Sequence, residues 1–139
     1  PDASHRLGEG AYAIMRVLQR RLLDAGVGMV LESNFLRGIS EDDLRPFLPE
    51  ARMLAVYCET DPDESVRRFL ERTERGDRHP GHHDTDPTKA EELRASLESG
   101  CYDPLDLPIP HLVVDTTDPD AIDRDAILAF ARDGVIPAG

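Results

Sequence analysis

Apolar residues recur at Ala11, Ile14, Met15, Leu18 and Leu22. That is the spacing of one helical face and predicts a helix from Gly8 to Ala25, stopped by Gly26 as a C-terminal cap. Arg16, Arg20 and Arg21 fall largely outside the stripe. Met29-Val30-Leu31 is too brief for a helix and suits a strand buried on both faces. A short helix is expected from about Glu41 to Leu48, with Ser40 as its N-cap. Met53-Leu54-Ala55-Val56-Tyr57-Cys58 reads as a second buried strand. Asp61 can cap the next helix, with Pro62 at its first position and Glu64 three residues after the cap. That helix turns Val66, Phe69 and Leu70 inward and runs to about Gly76. The polar stretch Asp77–Pro87, with its Pro, Gly and three His, reads as a loop. Thr88–Ser99 is a further helix ended by Gly100, Leu112-Val113-Val114 a third buried strand, and Arg124–Arg132 a last helix.

Strands alternating with helices imply crossover connections, hence an α/β domain with a three-layer parallel sheet flanked by helices. Three strands make a thin sheet, and the chain opens on a helix with no strand before it, as though a unit were missing in front. The 139 residues suit one domain spanning 1–139.

Composition narrows the setting. Apolar residues make up 40% and charged residues 32%, a soluble, globular balance. No apolar run approaches the ~20 residues that cross a membrane, and no signal-peptide pattern opens the chain, so a cytoplasmic setting without membrane contact is expected. The formal charge of −12 argues against non-specific attraction to nucleic acid. Fifteen of the sixteen basic residues are Arg, which suits bidentate phosphate binding but also follows from a GC-rich genome. Cys58 and Cys101 form no CxxC pair, leaving a disulfide framework or zinc site with little support.

Ligands of open parallel sheets bind beyond the carboxyl ends of the strands, which directs attention to Glu32-Ser33-Asn34-Phe35, Glu59-Thr60-Asp61 and Asp115-Thr116-Thr117. Glu32 directly follows an apolar strand, where a carboxylate can hold Mg²⁺ or take a proton from an attacking hydroxyl; a solvated strand-end acid is the plain alternative. Arg68, Arg72 and Arg75 share a helical face and would repel one another unless an anion binds or acids intervene. Glu64 and Glu71, four residues before Arg68 and Arg75, offer salt bridges instead. His79, His82 and His83 with Asp84 and Asp86 fit no standard zinc spacing, and a solvated or substrate-facing loop is the better reading. No GxxxxGK[ST], GxSxG, HRD or DFG motif is present.

In their order, several segments resemble the P-loop kinases of the AAA_33-like group, relatives of polynucleotide kinase, chloramphenicol phosphotransferase and zeta-toxin kinases. The carrying residues are Leu22-Leu23-Asp24-Ala25-Gly26, Val30-Leu31-Glu32-Ser33-Asn34-Phe35, the strand Leu54–Cys58 and the Arg68…Arg72…Arg75-Gly76 segment. Arg78-His79-Pro80-Gly81-His82 and Val113-Val114-Asp115-Thr116-Thr117 complete it, over about Leu7 to Asp118. Each is weak alone; the order and spacing carry the resemblance. It implies an ATP-dependent phosphotransferase using Mg²⁺ and acting on a hydroxyl of a small molecule or nucleotide. Glu32, where the family usually has Asp, would be the base or hold Mg²⁺ through water. Residues 68–99 would form a lid, with Arg68, Arg72 and Arg75 stabilising the transferred phosphoryl group and Arg72, Arg75 and Arg78 gripping the nucleotide. Asp115, Thr116 and Thr117 would lie beside the adenine, and Asn34, Phe35, His82 and His83 near the acceptor.

The family also begins with a strand, a phosphate-binding Walker A loop and a helix, for which no counterpart stands in these residues. On that reading the chain alone is inactive. An exposed sheet edge would otherwise need a strand from elsewhere, a second copy of the chain being one source and a homo-oligomer the result. Two alternatives remain: a non-catalytic nucleotide- or partner-binding module, and an acidic interaction domain whose Arg face is saturated by Glu64, Glu71 and Glu74.

Overall fold

The protein is described by a computed structural model that covers residues 3–76, 86 and 88–134. It opens with α1 (Ala3–Asp24), followed by a short α2 (Ser40–Leu44) that runs into a 3₁₀ turn over Arg45–Phe47. Strand β1 (Ala55–Glu59), α3 (Pro62–Arg75), α4 (Lys89–Glu98), β2 (His111–Asp115) and α5 (Arg124–Asp133) complete the described elements. The sheet pairs β1 with β2 in parallel, with Ala55 opposite His111 and Glu59 opposite Asp115. A parallel pair needs a crossover, and α3 and α4 supply it. This is a mixed α/β fold with a small parallel sheet.

The first of the three expected strands, Met29–Leu31, does not form. It carries no regular secondary structure and joins no ladder. Its apolar sequence suits a strand, but strand structure is completed by a neighbour's backbone, and among the described residues none lies beside it.

Helix ends follow local chemistry closely. Asp61 Oδ1 accepts from the N–H groups of Asp63 and Glu64 at 2.9 and 3.1 Å, and Pro62 starts α3 where no N–H is needed. Asp123 caps α5 in the same way through Ala126 N–H at 2.9 Å. At the end of α1 the amides of Gly26 and Val27 return to the carbonyls of Leu23 and Leu22, both at 2.9 Å, with Gly26 at φ +69°. That paired closure requires a residue at ease in the left-handed region. Ser40 does not cap α2 as expected: its Oγ accepts from Leu36 N–H at 2.8 Å, Ile39 holds the cap position, and α2 is one turn long.

The apolar stripe of α1 is not its inner face. Ile14 is 64% and Leu18 55% exposed, while Gln19 is buried. The helix is held instead by its polar side. Tyr12 meets Ser33 Oγ at 2.8 Å, Arg16 meets Asp43 at 3.0 Å, and Arg20 reaches Glu50 at 2.6 Å while lying over the Phe47 ring. The stripe forms one wall of a groove of about 370 Å³ against Met29–Leu31. On α3, Phe69 is buried as expected, but Leu70 is 46% exposed.

The core is small. Leu44, Leu105 and Leu107 are buried together, with Phe35, Leu48, Met53, Tyr57 and Ile109 packed around them. Glu41 is buried beside this cluster and ties α2 to the 105–107 segment, accepting from Asp106 N–H at 3.0 Å through Oε1. Burial pushes its carboxyl up, but backbone N–H donors at Gly38 and Asp106 outweigh this and hold it below the usual carboxylate range. Phe130 of α5, outside this cluster, is fully buried.

Candidate functional site

The carboxyl ends of β1 and β2 stop side by side, so the turns after them are brought together by the parallel register itself. Thr116 extends the ladder by one bond, its N–H donating to Glu59 O at 2.7 Å. Its hydroxyl donates to the same carbonyl at 2.8 Å and accepts from the Thr60 hydroxyl at 2.6 Å. With the Thr116 proton committed to Glu59 O, Thr60 must be the donor of that pair. Asp61 N–H donates to Thr117 Oγ1 at 3.0 Å, and Thr117 N–H donates to Asp115 Oδ1 at 2.8 Å. The Thr117 side chain and N–H together hold the Asp115 carboxyl below its usual range. Two strand ends and two turns are thus laced into one polar platform.

Arg68 of α3 locks this platform. Its Nη1 and Nη2 donate to the carbonyls of Thr116 and Thr117 at 3.1 and 2.7 Å, and its Nε donates to Glu64 Oε1 at 2.6 Å. Glu64 also takes a bidentate contact from Arg67 at 2.6 Å, and Arg67 reaches on to Glu71. The two guanidinium groups, Arg67 foremost, draw the Glu64 carboxyl down to about 2. The expected pairing of Glu64 with Arg68 is present, whereas Glu71 turns back to Arg67. The Arg72 side chain is exposed, with no hydrogen bond or ion pair among the described residues. Arg75 is exposed and engaged.

A large open cavity of about 2350 Å³ runs from this platform between β1 and the Gly28–Asn34 segment. Glu32, Asn34 and Phe35 line one side of it. Arg68, Arg72 and Arg75 line another, with Asp115 and Thr117 at the platform. Eight of the residues singled out in the sequence therefore share one space. Glu32 and Asn34 are exposed, while Phe35 is half-buried and packs on the Leu44–Leu105–Leu107 cluster. Arg78, His82 and His83 lie outside the described residues. Among the described residues no three His, Cys, Asp or Glu side chains are grouped to hold a metal ion, and no helix is long and apolar enough to cross a membrane. Thr60 lies in the strand-end segment Glu59-Thr60-Asp61 noted in the sequence, but was given no role there; its hydroxyl joins the platform through Thr116.

No protein-family profile matches the chain, and no curated protein does. A solved structure does match: the crystal structure of a "putative kinase" from Chloroflexus aurantiacus is 32% identical and superposes with a TM-score of 0.80. The match covers 95% of this chain and 71% of that one.

Proposed function

The chain belongs to the family of the Chloroflexus aurantiacus protein, and from that premise we propose that it is part of an ATP-dependent phosphotransferase acting on a hydroxyl of a small molecule or nucleotide. One observation carries this reading. Glu32 and the Arg72–Arg75 face of α3 open into the same cavity at the carboxyl end of a parallel sheet. Phosphoryl transfer asks the protein for positioning and for charge that meets the phosphoryl oxygens, with a carboxylate near the attacking hydroxyl.

The residues present fit a magnesium nucleotide in their donor set. Mg²⁺ is held in such sites by one or two carboxylates, water and the phosphates, and Glu32, one of several carboxylates lining the cavity, would serve as one of them. The ion, when bound, would neutralise charge on the phosphates. Glu32 would accept the hydroxyl proton or hold the ion through water, and Arg72 and Arg75 would contact phosphate oxygens. Asp115 and Thr117 would border the base, and Asn34 the acceptor. Arg68 acts here through the platform: with its donors committed to two carbonyls and Glu64, it sets the position of the 115–117 turn. No GxxxxGK[ST] occurs in the 139 residues, so the backbone phosphate cradle and its Lys come, on this reading, from polypeptide beyond them.

The test is Glu32→Gln in a form of the protein that carries a phosphate-binding loop. Turnover should fall by about 10²-fold or more, the range for loss of a general base, while ATP affinity changes by less than about threefold. Equal losses in both overturn the role of Glu32. Absence of phosphoryl transfer from that form leaves the second reading, a non-catalytic nucleotide- or partner-binding module. The pairing of Glu64 with Arg67 and Arg68 is instead the feature expected of the third reading, an acidic interaction domain, since acids on this face already neutralise part of the arginine charge.

A further inference from the structure

The outer edge of β2, on the side away from β1, presents a row of backbone groups. Pro110 O accepts from Ala55 N–H at 3.1 Å and Thr116 N–H donates to Glu59 O at 2.7 Å, so the even-numbered residues here turn their backbone groups to β1. In a parallel ladder the residues between turn theirs the other way. The N–H and C=O groups of His111, Val113 and Asp115 therefore point outward, with no hydrogen-bond partner among the described residues. The side chains of these three residues are exposed as well, Val113 by 45%. Two devices that commonly blunt a sheet edge do not act on this one. Pro110 has even parity, so the N–H it lacks would lie on the β1 side, and His111–Asp115 contains no Lys.

We propose that this edge is a dimerisation surface whose partner is the same edge of a second copy of the chain, laid antiparallel about a two-fold axis through Val113. His111-Leu112-Val113-Val114-Asp115 is self-complementary in that arrangement. Val113 meets Val113 of the second copy, and the two exchange a pair of backbone hydrogen bonds. His111 faces Asp115 of the second copy, and the symmetry repeats the contact at the other end. Every outward-bonding position of one strand thus meets an outward-bonding position of the other, a match that a one-residue slip destroys. Directly opposed side chains share a face about 5 Å apart, which suits an imidazole–carboxylate hydrogen bond and a contact between β-branched valines. Asp115 already accepts from Thr117 N–H through Oδ1, and a carboxylate has acceptor positions for a further donor. A parallel, in-register pairing of the same edges would set Asp115 against Asp115, a like-charge contact that the antiparallel register avoids.

In the pair, two two-stranded ladders become one four-stranded sheet with β2 and its copy at the centre. Because Asp115 also belongs to the polar platform, the second copy brings an imidazole to the platform's rim. The formal charge of −12 on each copy opposes association, but that repulsion is largely screened beyond about 8 Å at 0.15 M salt. The inference rests on backbone parity and on the order of residues in one strand, and holds whether or not the site transfers a phosphoryl group.

Sedimentation equilibrium at physiological salt, with protein concentration raised to the millimolar range, is the test. The mass should climb from 15.4 kDa to twice that value. Over the same range, amide exchange at His111, Val113 and Asp115 should slow by at least about tenfold, while Leu112 and Val114, already bonded to β1, change little. Val113→Pro removes an outward N–H and leaves the inner ladder's donors in place, so it should weaken association at least about tenfold. His111→Asp sets two acids opposite each other and should weaken it by a similar factor. A mass that stays at 15.4 kDa overturns the proposal, as does association that neither substitution weakens. Protection of the outward amides at every concentration overturns it too, since the same chain would then cover the edge. Association lost in Val113→Pro but unchanged in His111→Asp overturns the register. The exchange pattern is read on the unaltered chain, so it decides the matter even where Val113→Pro does not fold.

Discussion

Arg68 and Glu64 show how one helix face can carry both structure and charge. Arg68 spends its donors on two turn carbonyls and one carboxylate, and Glu64 serves two arginines at once. A carboxyl drawn down to about 2 is bound more strongly when ionised, so its contribution to stability has a definite sign. It is fully present above the ordinary glutamate range near 4.5 and fades as pH falls toward about 2. Glu64→Gln should flatten the acid limb of the stability–pH curve between those values and leave neutral-pH stability little changed, because the pair is solvent-screened. Denaturant midpoints at pH 7, 4 and 3 check this; an unchanged acid limb would show that other carboxylates dominate it. The arginine spacing was legible in the sequence, but which arginine was committed was not. That depended on the 116–117 carbonyls, 48 and 49 residues away.

At the level of elements, local chemistry decided the ends and tertiary contacts decided the faces. Asp61, Pro62 and Gly76 bracket α3 as their side chains and backbone preferences require, and Gly26 closes α1. Asp61→Ala removes the acceptor for two orphan N–H groups and should cost about 1 kcal/mol of stability, with a smaller loss for Asp61→Ser, which can still cap. Thermal unfolding of the two variants side by side measures the difference, and equal losses would point to the strand-end turn instead of the cap. The faces were less legible. The α1 stripe predicted burial of Ile14 and Leu18, yet Arg16 and Arg20 do the docking, because the loop and α2 beneath the helix present Asp43 and Glu50. Periodicity reports that a face is apolar, not that a partner for it is at hand.

Across the described residues, the sheet is narrow and the buried apolar residues fall into small groups: the Leu44–Leu105–Leu107 cluster, and Phe130 and Phe69 apart from it. Phe130 is wholly excluded from solvent, so Phe130→Ala should cost about 3–5 kcal/mol if the site cannot collapse. Because Phe130 also borders the open cavity, collapse into that space would reduce the loss to well under 3 kcal/mol, and urea unfolding separates the two outcomes. The sequence by itself determined the helices around β1 and β2, the caps at Asp61, Gly26 and Gly76, and the strand-end segments that the structure brings together. Those features depend on residues within a few positions of one another, where propensity, capping and periodicity act directly. Only the tertiary structure decided that Glu32 and the α3 arginines share one cavity, that Thr60 and Thr116 join the strand ends, and that Met29–Leu31 stays unpaired. Each of these depends on backbone and side-chain groups far apart in the chain, and a strand in particular exists only when a neighbouring backbone completes its hydrogen bonds.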